Sequence, residues 1–152
     1  MTMKDLCNVI DDDLFGELLS ILIKDSNDSV RIHIIESIIA LKNHPKIENF
    51  SDFISNVVSK LGNDESWRVR LTLCDKIHDI LNFPNLKTST KNLSLEIFAK
   101  MFDDTEAEIR NICCLRLETI AEIYGKQEIF DAVLTQLKKI ESVKKKINKI
   151  PH

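Results

Sequence analysis

"DESWRVR", residues 64–70, decides how this chain is read, because it is one of three related stretches. DSNDSVR at 25–31 and DTEAEIR at 104–110 share its frame: an aspartate, a β-branched aliphatic residue five places on, then arginine. The copies stand 39 and 40 residues apart. Self-similarity at a fixed interval of this size means one supersecondary unit used several times.

Working backward in register, Leu14, Phe53 and Leu93 align. So do Leu18, Val57 and Ile97; Leu19, Val58 and Phe98; and Leu22, Leu61 and Met101. The offsets i, i+4, i+5 and i+8 lie on one face of a helix. Asp13, Asp52 and Asn92 stand just before these runs and are expected to cap them, since their side-chain oxygens can accept an orphan backbone N–H. Working forward, Val30, Val69 and Ile109 begin a second face. It continues through Ile34, Leu73 and Cys113; Ile38, Ile77 and Leu117; and Leu41, Ile80 and Ile120. VRIHIIESIIALK is rich enough in isoleucine to suggest a strand, but thirteen residues at helical spacing exceed a typical strand. Pro45 and Pro84 fall between copies, where their rings end a hydrogen-bond ladder.

Each unit is therefore helix, short turn, helix, and units of about 40 residues are typical of HEAT and armadillo solenoids. The expected fold is all-α, one domain over 1–152 formed as an α-solenoid of antiparallel helix pairs. Three full repeats span about 11–44, 48–83 and 88–125, and a partial, capping repeat spans 126–152. In that last part Ile129, Val133, Leu134 and Leu137 repeat the first-helix spacing, with no Asp and Arg pair after them. Leu6, Val9 and Ile10 suit a short cap at the other end.

The composition agrees. A chain of 152 residues that is 43% hydrophobic can bury a core, and three glycines and three prolines are few enough for a mostly helical protein. Net charge is −3, divided between +5 over residues 138–152 and −8 before them. An acidic body argues against a general nucleic-acid binder, and the lysine-rich end reads as a solvated terminus. No stretch has the length and apolarity of a membrane span, and MTMKDLCNVIDDD lacks the basic flank of a signal peptide, so a cytoplasmic or nuclear protein is expected. Cys7, Cys74, Cys113 and Cys114 have no metal-ligand spacing and read as reduced core residues. His33, His44, His78 and His152 share no register and read as ordinary surface or edge histidines. Neither a Gly-rich phosphate loop nor G-x-S-x-G nor H-E-x-x-H occurs, so no enzyme, metal or cofactor is expected.

The recurrent Asp and Arg resemble the HEAT consensus. Asp25, Asp64 and Asp104 begin the turn before each second helix, where a carboxylate can accept N–H groups. Arg31, Arg70 and Arg110, one turn into that helix, can reach the aspartate of an adjacent unit to form a ladder. What does not recur bears on function. The slot of Trp67 holds Asp28 and Ala107 in the other copies, and that of Arg68 holds Ser29 and Glu108. A slot so tolerant is not a required core site. Trp67 is either a partly exposed partner-binding anchor or a ring laid over its own helix against Leu71 and Cys74.

SWRVR followed about 40 residues later by EAEIR, with SNDSVR before them, resembles successive middle repeats of the scaffold (A) subunit of protein phosphatase 2A, over about residues 25–124. That family uses its intra-repeat turns to hold regulatory and catalytic phosphatase subunits. The resemblance thus implies a non-catalytic scaffold with partner contacts at Asp64, Glu65, Ser66, Trp67 and Arg68, and at Glu106 and Glu108 in the next turn. Three repeats and a partial fourth cannot span what the family's fifteen span, and nothing here matches the repeats that hold the catalytic subunit. Two other classes use similar frames. A tubulin-binding TOG-like module would want basic residues on several turns, and a nucleic-acid-binding HEAT-like protein would want a basic body.

Overall fold

In a computed structural model of the chain, Asp5 and residues 11–147 are described. The described residues form helices and turns with no strand. The helices are α1 (Asp12–Leu22), α2 (Asp28–Ala40), α3 (Ser51–Gly62), α4 (Trp67–Leu81), α5 (Thr88–Met101), α6 (Ala107–Tyr124) and α7 (Lys126–Ile147). Beyond chain neighbours, the main packing joins helices two apart: α2 with α4, α4 with α6, α3 with α5, and α5 with α7. Odd and even helices thus form two successions, and the core lies between them.

The aligned apolar slots fill this core. Leu19, Val58 and Phe98 are fully buried, as are Leu73, Cys113, Val69 and Ile109. Burial weakens at the first unit: Leu14 is 50% exposed and Leu18, Leu22 and Val30 are only partly covered, whereas Val57 and Leu61 in the second unit are buried. Phe15 packs into α3, with ring centroids 4.9 Å from Phe50 and 6.3 Å from Phe53. Gly125, at φ 95°, lets α6 turn into α7 through a single residue, a backbone conformation that side chains with a Cβ rarely adopt.

Several expectations are corrected. The first helices of the units begin earlier than Asp13, Asp52 and Asn92, all of which lie inside helices. Asp11 caps α1, its carboxylate accepting the Leu14 N–H at 2.8 Å. At α3 and α5 no side chain caps the end, and tertiary bonds hold it instead. Thr90 Oγ1 donates to the Ser51 carbonyl at 3.0 Å, and the Lys87 N–H donates to Ser51 Oγ at 3.2 Å. His44 is buried, not superficial: its ring lies 5.8 Å from that of Phe50, and Nδ1 accepts the Lys46 N–H. Cys114 is exposed, although Cys74 and Cys113 are buried free thiols with sulfurs 3.3 Å apart. Its slot is that of Ile35 and Cys74, each covered by the next even helix, and no such helix follows α6 among the described residues. Cys7, His152 and the segment with Leu6, Val9 and Ile10 lie outside the described residues.

The approach of α3 to α5 is set by Gly62. A Cβ there would collide with Cγ2 of Ile97, a branch too stiff at χ1 to swing away. Gly62→Ala is therefore expected to destabilise the protein by about 1–3 kcal/mol through overpacking, although alanine is the better helix former. Thermal unfolding checks this, with a midpoint lowered by roughly 2–4 °C per kcal/mol for a chain of this size.

Candidate protein-binding ridge

The turns that precede α2, α4 and α6 are built alike. In each, the aspartate carboxylate accepts the N–H two residues on: Asn27 from Asp25 at 2.8 Å, Ser66 from Asp64 at 2.8 Å, and Glu106 from Asp104 at 3.0 Å. These closures set the chain direction at the start of the following helix. In each, too, the arginine six residues on donates through Nη1 to the carbonyl of that aspartate, at 2.6, 2.7 and 2.7 Å.

Arginine then crosses to the next turn. Arg31 Nε and Nη2 donate to Asp64 Oδ2 and Oδ1, both at 2.8 Å, and Arg70 makes the same fork to Asp104 at 2.8 and 2.9 Å. Two parallel charge-assisted bonds fix the relative position of two turns as well as their contact. Hydrogen bonding to Asp64 holds the Arg31 guanidinium above its ordinary pKa against the opposing effect of burial, and Asp104 does the same for Arg70. Burial alone would raise Asp104, but bonds from Arg70 and the Glu106 N–H outweigh it and hold the carboxyl below the usual range. The third copy differs: Arg110 is exposed, bonds only the Asp104 and Thr105 carbonyls, and meets no carboxylate among the described residues.

The expected contact residues divide between support and display. Asp64 is taken up by the brace, and Ser66 Oγ donates to Asp28 Oδ2 at 2.9 Å, tying the second turn to the first. Glu65 is exposed on the second turn, Glu106 is half-buried on the third, and Glu108 is exposed in the first turn of α6. Trp67 begins α4 and is 41% exposed, with the Arg68 guanidinium carbon 5.9 Å from its ring centroid. That is within cation–π range, which keeps the indole and the guanidinium together at the surface. An open cleft of about 490 Å³ runs between the first two turns beside Asp28, Arg31, Glu65 and Ser66, and one of about 400 Å³ adjoins Asp64, Arg70 and Asp104. The braced turns thus form a continuous, mostly polar ridge.

Sequence reasoning missed Asp28, whose alignment with Trp67 hid its bond to Ser66. It also missed the clamp from Arg116 on α6 to Asp75 on α4, at 2.6 Å, for which spacing offers no signal. Away from the ridge, the buried Tyr124 hydroxyl has no hydrogen-bond partner among the described residues, and burial pushes its pKa up to about 12. No group of His, Cys, Asp and Glu among the described residues could hold a metal, and no described helix is long and apolar enough to cross a membrane. Comparison with protein-family models, curated proteins and solved structures finds no match.

Because the Asp104 carboxyl titrates lower in the folded than in the unfolded chain, its pairing stabilises fully above the unfolded aspartate value of about 3.9. That stabilisation is lost as pH falls through the lower folded value. Asp104→Asn is expected to cost about 1–3 kcal/mol at pH 7, with the gap from wild type narrowing below about pH 4. Urea titrations across that pH range would show it, and a constant gap would contradict it.

Proposed function

We propose that this chain is a HEAT-type α-solenoid acting as a non-catalytic protein-binding scaffold, with the turn ridge as its partner surface. The observation that carries this reading is the division of labour within residues 64–70. Asp64 and Arg70 are consumed in bracing the turns, whereas Trp67 and Arg68 stand exposed on them within cation–π range of each other. An aromatic and an arginine displayed on a braced turn supply the contact area and charge that dominate binding hot spots. The succession of helices two apart supports the repeat stack, because each unit buries its apolar face against the next.

The partner class follows from the resemblance of SWRVR and EAEIR to scaffold repeats of protein phosphatase 2A: a regulatory or catalytic subunit of a serine/threonine phosphatase of that type. Glu65 on the turn of Trp67 and Arg68, with Glu106 and Glu108 on the next turn, suits a partner with basic residues around an apolar pocket.

A pull-down from native extract checks both parts. Wild-type protein is expected to recover phosphatase subunits, and Trp67→Ala with Arg68→Ala to lose at least about 10-fold in recovery without a change in thermal midpoint. Wild type that recovers no phosphatase subunit contradicts the partner, and unchanged recovery by the folded double variant contradicts the site.

A further inference from the structure

Two cysteines meet where α4 packs on α6. Cys74 and Cys113 are both fully buried, and their sulfurs lie 3.3 Å apart. The equivalent slots of the preceding contact, between α2 and α4, hold Ile35 and Leu73, so two thiols stand here in place of two large aliphatic side chains. The helices that carry them are tied together on either side of the pair. Arg70, in α4, forks onto Asp104 just ahead of α6. Arg116, three residues along α6 from Cys113, clamps Asp75, the residue after Cys74, at 2.6 Å. A disulfide holds its sulfurs about 2.05 Å apart, so closing a bond across this pair asks each sulfur to move by less than about 1 Å.

We propose that Cys74 and Cys113 are a latent disulfide that staples α4 to α6, formed by exchange with a low-molecular-weight disulfide of the glutathione kind. The proposal rests on the packing of α4 against α6 and needs no partner on the ridge. The closed pair is unreactive: the hydrogen bond with Cys74 and burial push the Cys113 thiol well above its ordinary pKa, and only a thiolate attacks a disulfide. Exchange therefore begins in molecules in which α6 has parted locally from α4. One thiol loses its proton to solvent and attacks the small disulfide, and a glutathione thiolate leaves. The second protein thiolate attacks the protein sulfur of that mixed disulfide, and the second glutathione leaves. Two protein thiols thus give up two electrons and two protons, and one small disulfide becomes two thiols. The new bond joins positions 39 apart, so it constrains the unfolded chain over a whole repeat. In the folded chain it holds the second turn against the third even where acid weakens the Arg70 and Asp104 fork.

The full chain with Cys7→Ser and Cys114→Ser, whose remaining thiols are Cys74 and Cys113, tests this. It is equilibrated with excess oxidised glutathione in urea below the unfolding transition, where local opening is faster. The mass of the protein is expected to fall by that of two hydrogens, and non-reducing proteolysis to release one pair of peptides joined through Cys74 and Cys113. After the urea is removed, helicity is unchanged and the thermal midpoint rises by roughly 5–15 °C, all reversed by dithiothreitol. Wild type is expected to yield the same joined peptides, so the result does not depend on the variant's stability. Both thiols still free to alkylation after unfolding, a reaction that stops at the mixed glutathione disulfide, bonds between molecules, or a joined form with a lower midpoint would overturn the proposal. Each of these outcomes leaves the ridge reading standing, and loss of partner capture in the pull-down leaves this one standing.

Discussion

The structure depends on a forked bond between an arginine near the start of one helix and an aspartate in the turn of the next unit. Arg31 and Arg70 each satisfy the carbonyl of their own turn while gripping the following one, so a single side chain closes a turn and sets the spacing between turns. Arginine suits the task because its planar fork matches a carboxylate and stays charged. The aspartate is equally committed, accepting a backbone N–H with the oxygens that hold the guanidinium. Hydrophobic burial supplies most of the stabilisation, as in any domain. The braces determine where the turns stand, and hence whether Trp67 and Arg68 share one surface with Glu65 and Glu106.

This arrangement separates what must be constant from what can vary. Slots such as Leu19, Val58 and Phe98 are buried in every copy and accept only apolar residues. The slot of Trp67, between a carboxylate and an arginine that never change, accepts Asp28 in one turn and Ala107 in another. A rigid frame with variable positions on its turns can acquire a binding surface without a change in its core.

Much of this was readable in the chain. The six-residue interval from Asp to Arg, repeated 39 and 40 residues apart, identified the helix pairs and the residues that link their turns. Helix starts were less readable. Asp13, Asp52 and Asn92 have good capping chemistry, but α3 and α5 begin where Ser51 and Thr90 bond across units, a tertiary preference with no local trace. Cys114 was misjudged because a repeat slot describes burial only if a neighbour follows, and α6 has no next even helix among the described residues. His44 was misjudged for the converse reason: it lies in a linking turn outside the helical registers, yet packs on Phe50. Pairs such as Arg116 with Asp75 depend on how adjacent even helices cross, which spacing within either helix does not reveal.

The brace itself can be weighed by a double-mutant cycle on Arg31 and Asp64, with Arg31→Met, Asp64→Asn and the double variant unfolded in urea. Both side chains are more than nine-tenths buried and joined by two 2.8 Å bonds, so a coupling energy of about 1–3 kcal/mol is predicted. Additive losses, with a coupling indistinguishable from zero, would contradict the view that these residues hold one turn against the next.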